Sequence, residues 1–575
     1  MGCGLIISLP RGFLMSRTAD EHYCAVETGA LCARKHWSIY WILIVVAMTV
    51  AGGRVLTIRN PDTRGDSPFF SANDRSRWCT VHSLVDFGTY EIDRVIDRQS
   101  PIHWDTIDKV QHVGADGQLH FYSSKPPLLS TLMAGKYWLL QQLTGWQIDR
   151  QPLEVVRTLL LIENVLPFGL MLWLLAALLE RLFVADWTRY FVVAAAGFGT
   201  FLTTFLVTFN NHLPAAVATM LAIYCFDRIL NRNVRPGFRP EGPAGWTSYL
   251  LAGLATGFAA ACDLPALSLV GLGGLVCLTR SVGGTILGYV PGFALVAGAF
   301  AVTGFLAHGT WEVAYSHRSD GPIVTQVSGD HAAALDADEL PESFEAAIKN
   351  SEMASLWNGM KLPRVEVGTW MGQAETIEGR WVVRDELGPS QFVILRPAES
   401  LYEIRRWNNW YDYPGSYWST ANARRSEVDF GQRSQVVYAF HMLFGHHGIF
   451  SLTPLWILSA AGLAGLLFVK IYRLRWLGAI GLVLSIVVFA FYVTRPEHDR
   501  NYGGQTSGLR WTFWLIPIWL VALVPVVQSL ARTRTGRVIC FTLLGASILS
   551  AGFSAANPWV HPWLYQIWEL TRLPR

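Results

Sequence analysis

Carboxylates and arginines are dense in one short stretch of the chain, NDRSRWCTVHSLVDFGTYEIDRVI at residues 73–96. Asp74, Asp86 and Asp93 are its aspartates, and Arg77 follows the first of them by three residues. Carboxylates at enzyme sites accept and release protons, so Asp74 is a candidate for such chemistry, with Arg77 and Asp86 as substrate-binding candidates. The helical spacing of the hydrophobic residues equally predicts an amphipathic helix resting on a membrane, capped by Asp74. Spacing alone favours the capping interpretation and leaves the chemical one open.

A lysine precedes two prolines in HFYSSKPPLLSTLMAGKYW, residues 120–138. Pro126 and Pro127 cannot continue a preceding helix, but they can begin one. They hold Lys125 at the boundary between water and an apolar helix, where its ammonium can meet an anion such as a lipid phosphate. Lys125 as a plain interfacial anchor is the alternative. Tyr122, in the aromatic approach to this lysine, is a further substrate-binding candidate.

Two arginines flank a glycine-rich turn in RPEHDRNYGGQTSGLRW, residues 495–511. Arginine forms paired hydrogen bonds with phosphate oxygens, and flexible backbone N–H groups can approach an anion closely. Arg500 and Arg510 are therefore candidate phosphate-binding residues, with Tyr502 between them as a substrate-binding candidate. Because Arg510 precedes Trp511 at the start of an apolar run, it also fits an interfacial anchor.

Aromatic and histidine residues are dense in NNWYDYPGSYWS, residues 408–419, and in FHMLFGHHGIFSLTP, residues 440–454. Sugars stack on aromatic faces, so His447 is a substrate-binding candidate; an aromatic belt at the membrane interface explains the same composition. His446 and His447 have no carboxylate at tight spacing, so no metal site is assigned and a divalent metal is not supported.

Three further polar positions lie at the ends of apolar runs or within them. NNHLP at residues 210–214 places Asn211 and His212 at a turn, where they are substrate-binding candidates or ordinary hydrogen-bonded loop residues. Asp263 and Glu163 are acids set in apolar runs, which is costly in lipid and suggests a role. For Asp263, which lies just before a proline at a helix end, capping is the simpler explanation.

The elements that position these residues are membrane helices. The chain has 575 residues, of which 51% are hydrophobic and 15% charged. Its apolar residues form uninterrupted blocks of about twenty, the length that crosses a bilayer. The net charge of +3 is too small to suggest a nucleic-acid partner. We expect an all-α polytopic membrane protein with about 11 transmembrane helices, additional interfacial helices and a small mixed α/β outer domain.

Loop charge predicts the topology. Basic residues before the first span keep the N-terminus in the cytoplasm, and if the stretch from Pro126 to Leu143 lies at the interface without crossing, three basic loops also fall inside. The predicted spans are residues 37–57, 156–180, 189–209, 213–230, 247–262, 265–280, 286–308, 447–469, 477–494, 511–530 and 538–554.

This topology divides the chain into four parts. Residues 1–36 form a cytoplasmic N-terminal segment, and residues 37–308 form a transmembrane core that includes a first outer loop at 58–155. Residues 309–446 form an outer domain, in which GRWVVRD and QFVILRP have strand character. Residues 447–575 carry the C-terminal transmembrane helices. The polar candidates therefore share one side of the membrane.

The order NDRSRW, SLVDFGTY and FYSSKPPL resembles the first outer loop of GT-C membrane glycosyltransferases, of the aminoarabinose transferase and protein O-mannosyltransferase type (families 83 and 39). The motif similarity covers about 55 residues, and the multispan layout extends it over the chain. The resemblance implies a GT-C fold and inverting transfer of a sugar from a polyprenyl-phosphate donor to an acceptor hydroxyl of a lipid, protein or polysaccharide. Asp74 then matches the catalytic aspartate, and Lys125 the lysine beside the donor phosphate.

The chain departs from the family pattern at two points. Arg75 stands where many relatives have a second acid, and Asn210 to His212 stand where many have an aspartate, so a metal role for that turn is in doubt. A transporter or flippase for a lipid-linked or small polar solute is the alternative function, and a non-catalytic membrane protein is a third. The basic inner loops fit a multi-pass protein of a bacterial inner membrane with its site on the periplasmic face.

Overall fold

The structure is a computed structural model of the full chain. It describes residues 24–59, 67–97, 102–182, 184–231, 245–360, 363–369, 376–385, 390–413, 415–418, 432–468 and 472–572. Most of residues 1–36, and part of the basic loop at 228–239, therefore lie outside the described residues.

Helices dominate the N-terminal half. They are α1 (Cys24–Leu56), α2 (Ala72–Asp86), α3 (Asp93–Ile96), α4 (Pro127–Thr144), α5 (Pro152–Leu160), α6 (Leu166–Arg181), α7 (Asp186–Phe198), α8 (His212–Leu230), α9 (Trp246–Cys262), α10 (Leu267–Leu278), α11 (Val282–Gly284) and α12 (Val290–His308). A π-helical turn, Leu161–Val165, joins α5 to α6, and a second, Thr285–Tyr289, joins α11 to α12.

The C-terminal half has shorter helices in the outer domain and long ones after it. They are α13 (Ala332–Asp336), α14 (Glu342–Lys349), α15 (Ala354–Asn358), α16 (Gln435–Leu443), α17 (Ile449–Leu452), α18 (Trp456–Leu466), α19 (Tyr472–Val493), α20 (Ile516–Leu530), α21 (Arg534–Phe553) and α22 (Trp563–Arg572).

Seven helical segments among the described residues are long and apolar enough to cross a membrane. They are Trp37–Leu56, Pro152–Arg181, His212–Leu230, Val282–His308, Leu474–Val493, Arg510–Leu530 and Arg534–Phe553. Trp246–Cys262, Leu264–Leu278 and Trp456–Leu466 are shorter apolar helices. The chain is an integral membrane protein, but the predicted count of eleven spans is not confirmed.

Two predicted spans are broken in the structure. In the predicted span at 189–209, α7 ends at Phe198 and a 3-10 turn, Thr204–Val207, follows. The Thr203 hydroxyl there donates to the Thr200 carbonyl, a local bond that competes with helix continuation. In the predicted span at 447–469, Pro454 separates α17 from α18.

The first outer loop folds around α2. The amphipathic helix is present, but its apolar face is covered by protein: Trp78 and Val81 are buried in the main core, as is most of the helix. An antiparallel hairpin of β1 (Lys109–Val113) and β2 (Leu119–Ser123) precedes α4. Helix α4, the stretch predicted to be interfacial, packs against α2 and is not among the long apolar helices.

The outer domain contains the predicted strands. Its five-stranded antiparallel sheet has the order β4-β8-β7-β6-β5, from β4 (Ile323–Ser328), β5 (Pro363–Thr369), β6 (Thr376–Asp385), β7 (Ser390–Ala398) and β8 (Leu401–Arg406). The motif GRWVVRD lies in β6 and QFVILRP in β7. A two-stranded ladder pairs β3 (Arg318–Ser319) with β9 (Asn408–Asn409). Trp381 and Phe392 belong to a separate small core, so this part packs as its own unit.

Candidate functional site

Asp74 lies in the first turn of α2 and forms a capping box with Ser71. Its carboxylate accepts hydrogen bonds from the Phe70 N–H at 3.2 Å, the Ser71 N–H at 3.1 Å and the Thr208 hydroxyl at 2.8 Å. The residue is 1% exposed. Burial raises the pKa of Asp74, although the three hydrogen bonds and Arg75 oppose this shift. The predicted cap is thus present, and it holds a carboxyl group of increased basicity.

A chain of hydrogen bonds runs from α2 across the ends of three further helical elements. Arg77 donates to Asn211 Oδ1 at 2.7 Å, and the Asn211 amide donates to Asp263 Oδ1 at 2.8 Å. The other oxygen of Asp263 accepts from His212 Nδ1 at 3.1 Å. Since Nδ1 carries the proton, Nε2 of neutral His212 is an acceptor, and Arg510 Nη1 donates to it at 3.1 Å. Residues that are far apart in sequence therefore form one connected network.

Lys125 lies at a second part of this site. Its ammonium pairs with Asp108 Oδ2 at 3.0 Å, with side-chain exposures of 9% and 13%. The backbone carbonyl of Asp108 is held by the Ser76 hydroxyl and by the Ser124 N–H, at 2.6 and 3.1 Å. These bonds fix the loop that carries Asp108 against both α2 and the residues before α4.

Electrostatic interactions join the two parts. Burial lowers the pKa of Arg77, while Tyr315, Asp108 and Asp263 oppose the shift by stabilising its positive charge. Arg510 also interacts electrostatically with Asp108 and Asp263. We call Arg77, Asp108, Lys125, Asp263 and Arg510 the charged cluster. Three cations and two carboxylates converge there from separate elements; Arg77, Lys125 and Asp263 are buried, and Asp108 and Arg510 are half-buried.

Asp74 is connected to the charged cluster through one tryptophan. The Thr208 hydroxyl that bonds Asp74 also accepts from Trp559 Nε1 at 3.1 Å. The guanidinium carbon of Arg510 lies 5.1 Å from the centroid of the Trp559 ring, a cation–π arrangement. Asp74 is thus next to the cluster but does not contact its charged groups directly.

A small, open pocket lies beside Lys125. One wall is apolar and belongs to the membrane helix α12, with Phe300, Ala301 and Gly304. The polar lining includes Ser124, Lys125, His308, Glu312 and Tyr315. The pocket therefore joins a lipid-facing helix to charged side chains, as a binding site for a lipid with a polar head requires.

The other predicted residues lie elsewhere. Asp86, at the far end of α2, accepts from Gln141 and pairs with His82. Tyr122 stacks on His112, with ring centroids 4.1 Å apart. Arg500 donates to the Arg433 carbonyl at 2.6 Å. None of these three contacts the charged cluster through a described hydrogen bond or ion pair.

Tyr502 and His447 belong to what we call the ring cluster: His441, His446, His447, Tyr502 and Tyr565. The rings of His447 and Tyr502 stack with centroids 4.7 Å apart, and both residues are buried. Among the residues that the structure describes, no group of three or more His, Cys, Asp or Glu side chains has a metal-binding arrangement.

Sequence reasoning missed Asp108 and favoured a cap for Asp263. Asp108 is one of several acids in a polar loop, and nothing in its spacing distinguishes it from Asp105 or Asp116. Asp263 does lie at the end of α9, but its carboxylate bonds the side chains of the turn at 210–214. The position of Asp263 in an apolar run is the feature of the sequence that indicates a role beyond capping. Glu163, in the same category, pairs with Lys136 of α4.

No family model matches the sequence, and no curated protein matches it. Among solved structures, the chain is similar to the Saccharomyces cerevisiae protein O-mannosyltransferase Pmt1-Pmt2 complex bound to the sugar donor, with 12% identity and a TM-score of 0.44 over 93% of this chain and 92% of that one.

It is also similar to the Archaeoglobus fulgidus oligosaccharyltransferase. The apo form has 12% identity and a TM-score of 0.41, over 91% of this chain and 56% of that one. The form tethered to an acceptor peptide has 13% identity and a TM-score of 0.38, over 93% and 58%. All three TM-scores lie below 0.5, so these similarities carry no argument about function.

Proposed function

We propose that this protein transfers a sugar from a polyprenyl-phosphate donor to an acceptor hydroxyl at the membrane face that carries the charged cluster. The observation that carries this proposal is that Lys125 lines a pocket with one apolar wall on α12, while Arg77 and Arg510 interact electrostatically with Asp108, the partner of Lys125. A lipid phosphate has this combination of a charged head and an apolar tail. The lipid, protein or polysaccharide nature of the acceptor is left to experiment.

The cations support the departure of the phosphate. When the glycosidic bond breaks, the electron pair passes to the phosphate oxygen, and the leaving lipid phosphate gains negative charge. Preorganised positive groups in a water-poor site stabilise that charge strongly. Lys125 lines the pocket, so it is the cation we assign to the phosphate. Its pairing with Asp108 holds the ammonium in place before the donor arrives.

Asp74 is proposed as the general base. The acceptor oxygen forms a bond to the anomeric carbon on the face opposite the phosphate, which inverts that carbon, and its proton passes to Asp74. The raised pKa of the Asp74 carboxyl supports this role, since a stronger base takes the proton more readily. The step requires the acceptor hydroxyl to replace the Thr208 hydroxyl, which donates to Asp74 Oδ2.

The side of the membrane follows from charge. Arg532 lies between α20 and α21, and Arg534 and Arg537 lie in the first turn of α21, at the ends of these helices away from Arg510. Basic residues are enriched on the cytoplasmic side, so the charged cluster is proposed to face away from the cytoplasm, on the periplasmic side of a bacterial inner membrane.

The experiment measures release of polyprenyl phosphate from polyprenyl-phosphate mannose and polyprenyl-phosphate glucose by purified protein in lipid nanodiscs, with water as the acceptor hydroxyl. We expect Asp74→Asn to lower turnover by about 100- to 10,000-fold, the range for loss of a general base. Asparagine keeps one acceptor oxygen, but its amide group cannot accept the hydrogen bonds made at the other oxygen, so the melting temperature should fall and turnover is measured well below it. Asp116→Asn, at the exposed hairpin turn, is the matched control. Full turnover by Asp74→Asn would contradict the assigned base, and transport of an unchanged lipid would favour a flippase.

A further inference from the structure

A pair of histidines connects the hairpin β1–β2 to the pocket. His112, on β1, is 8% exposed, and its ring lies between Tyr122 and Trp410, with each pair of centroids 4.1 Å apart. Its Nε2 lies 3.0 Å from Nδ1 of His308, the last residue of α12. The proposed function gives these two residues no role, although His308 lines the pocket beside Lys125.

The hydrogen bonds determine which nitrogen carries each proton. His112 Nδ1 lies 3.0 Å from the Val113 carbonyl, which can only accept, so Nδ1 carries the proton. Burial lowers the pKa of His112 to about 4, so its ring is neutral near pH 7 and its Nε2 is an acceptor. The bond between the rings therefore requires a proton on Nδ1 of His308, and neutral His308 has a bare Nε2.

That bare nitrogen is available to a ligand. No hydrogen bond from any residue that the structure describes reaches His308 Nε2, and the residue lines the pocket with Lys125, Glu312 and Tyr315. A bare imidazole nitrogen accepts a hydrogen bond and cannot donate one to a phosphate oxygen. Its partner must carry a proton, as a sugar hydroxyl does. With the phosphate at Lys125, the sugar attached to it lies in the same pocket.

We propose that His308, held in this tautomer by His112, accepts a hydrogen bond from a hydroxyl group of the donor sugar. This inference rests on the proposed function, and it makes His308 a sugar-binding residue and His112 its positioning residue. Lys125 then binds the phosphate that all polyprenyl-phosphate donors share, while His308 contributes to selectivity for the sugar.

The test compares the binding of two probes, polyprenyl phosphate and polyprenyl-phosphate mannose, to the full-length protein by native mass spectrometry in nanodiscs. We expect His308→Phe to weaken binding of the sugar-linked lipid about tenfold, the value of one hydrogen bond, and to leave polyprenyl phosphate unchanged. His112→Phe keeps a ring between Tyr122 and Trp410, but it removes the hydrogen bond that sets the tautomer of His308. This variant should therefore lose part of the preference for the sugar-linked lipid over polyprenyl phosphate.

His317→Phe is the matched control, because His317 stacks on Trp410 at 3.6 Å without lining the pocket. It should leave the binding of both probes unchanged. An equal loss for both probes in His308→Phe, or no loss for either, would overturn the inference. Failure of the unsubstituted protein to bind polyprenyl phosphate would instead overturn the proposed function. The result for the unsubstituted protein therefore separates the two proposals.

Discussion

The charged cluster and the ring cluster both contain residues that the sequence predicts to bind substrate, yet they differ in how charge is balanced. In the charged cluster, cations and carboxylates from separate elements are in contact or close by. In the ring cluster, burial and the nearby histidines His446, His561 and His441 lower the pKa of His447 well below its usual value, so its ring stays neutral. Aromatic density thus accompanies packing in the ring cluster, whereas the converging opposite charges belong to the site that we propose for the donor.

The largest expected effect concerns the stability of the charged cluster. Asp263→Asn removes the negative charge that faces His212 and the two arginines, whose positive charges stay buried. Breaking a buried pair in this way costs about 3 kcal/mol in the free energy of unfolding. Denaturant titration in detergent measures the loss. Asp86→Asn is the control: its carboxylate is 24% exposed, and we expect about 1 kcal/mol or less. Equal losses in the free energy of unfolding for the two variants would contradict a special role for charge balance in the charged cluster.

The second prediction concerns activity at the cluster. Lys125→Met removes the cation assigned to the donor phosphate, and we expect kcat/KM for polyprenyl-phosphate sugar to fall about 100-fold. Lys125→Arg keeps the charge and should recover activity to within about tenfold of the original. The polyprenyl phosphate release assay measures both. If Lys125→Met and Lys125→Arg were equally impaired, Lys125 would act through its packing and not through its charge.

The third prediction addresses the ring cluster through pH. The unfolded chain binds a proton at His447 with a pKa of about 6.5, while the folded state keeps this ring neutral. Stability is therefore lost as the pH falls below about 6.5, by up to about 1.4 kcal/mol per pH unit. His447→Phe preserves the stack on Tyr502 and should make this acid dependence shallower in thermal denaturation. Glycosyl transfer above pH 6.5 should stay within about twofold, and an unchanged acid slope would contradict the assignment.

The smallest effect is expected at Arg500. Its described side-chain hydrogen bond goes to the Arg433 carbonyl and not to any member of the charged cluster. We expect Arg500→Gln to change kcat/KM by less than about threefold, because the substitution removes one hydrogen bond to a backbone carbonyl and removes no contact with the phosphate. If Arg500→Gln lowered kcat/KM as much as Lys125→Met, Arg500 would be assigned to the donor phosphate, as the sequence predicts. The site would then extend beyond the charged cluster.

Part of the site could be predicted because residue type restricts where a side chain can lie. Asn211, His212 and Arg510 stand at the edges of apolar runs, and helix ends on one side of a membrane have to share a face. Arg77 was singled out with Asp74 because the two are one helical turn apart on α2. The burial of α2 could not be predicted, since hydrophobic periodicity identifies an apolar face but not what covers it.

By itself, the sequence determined the long apolar helices, the strands β6 and β7 and the polar helix ends, because these depend on the length and periodicity of local runs. Only the tertiary structure decided that Asp108 pairs with Lys125, that Asp263 meets His212, and that His112 bonds His308. Each of these contacts joins residues distant in sequence, so local patterns do not encode it. A buried charge or imidazole needs a partner, and helix packing alone determines which partner is near enough.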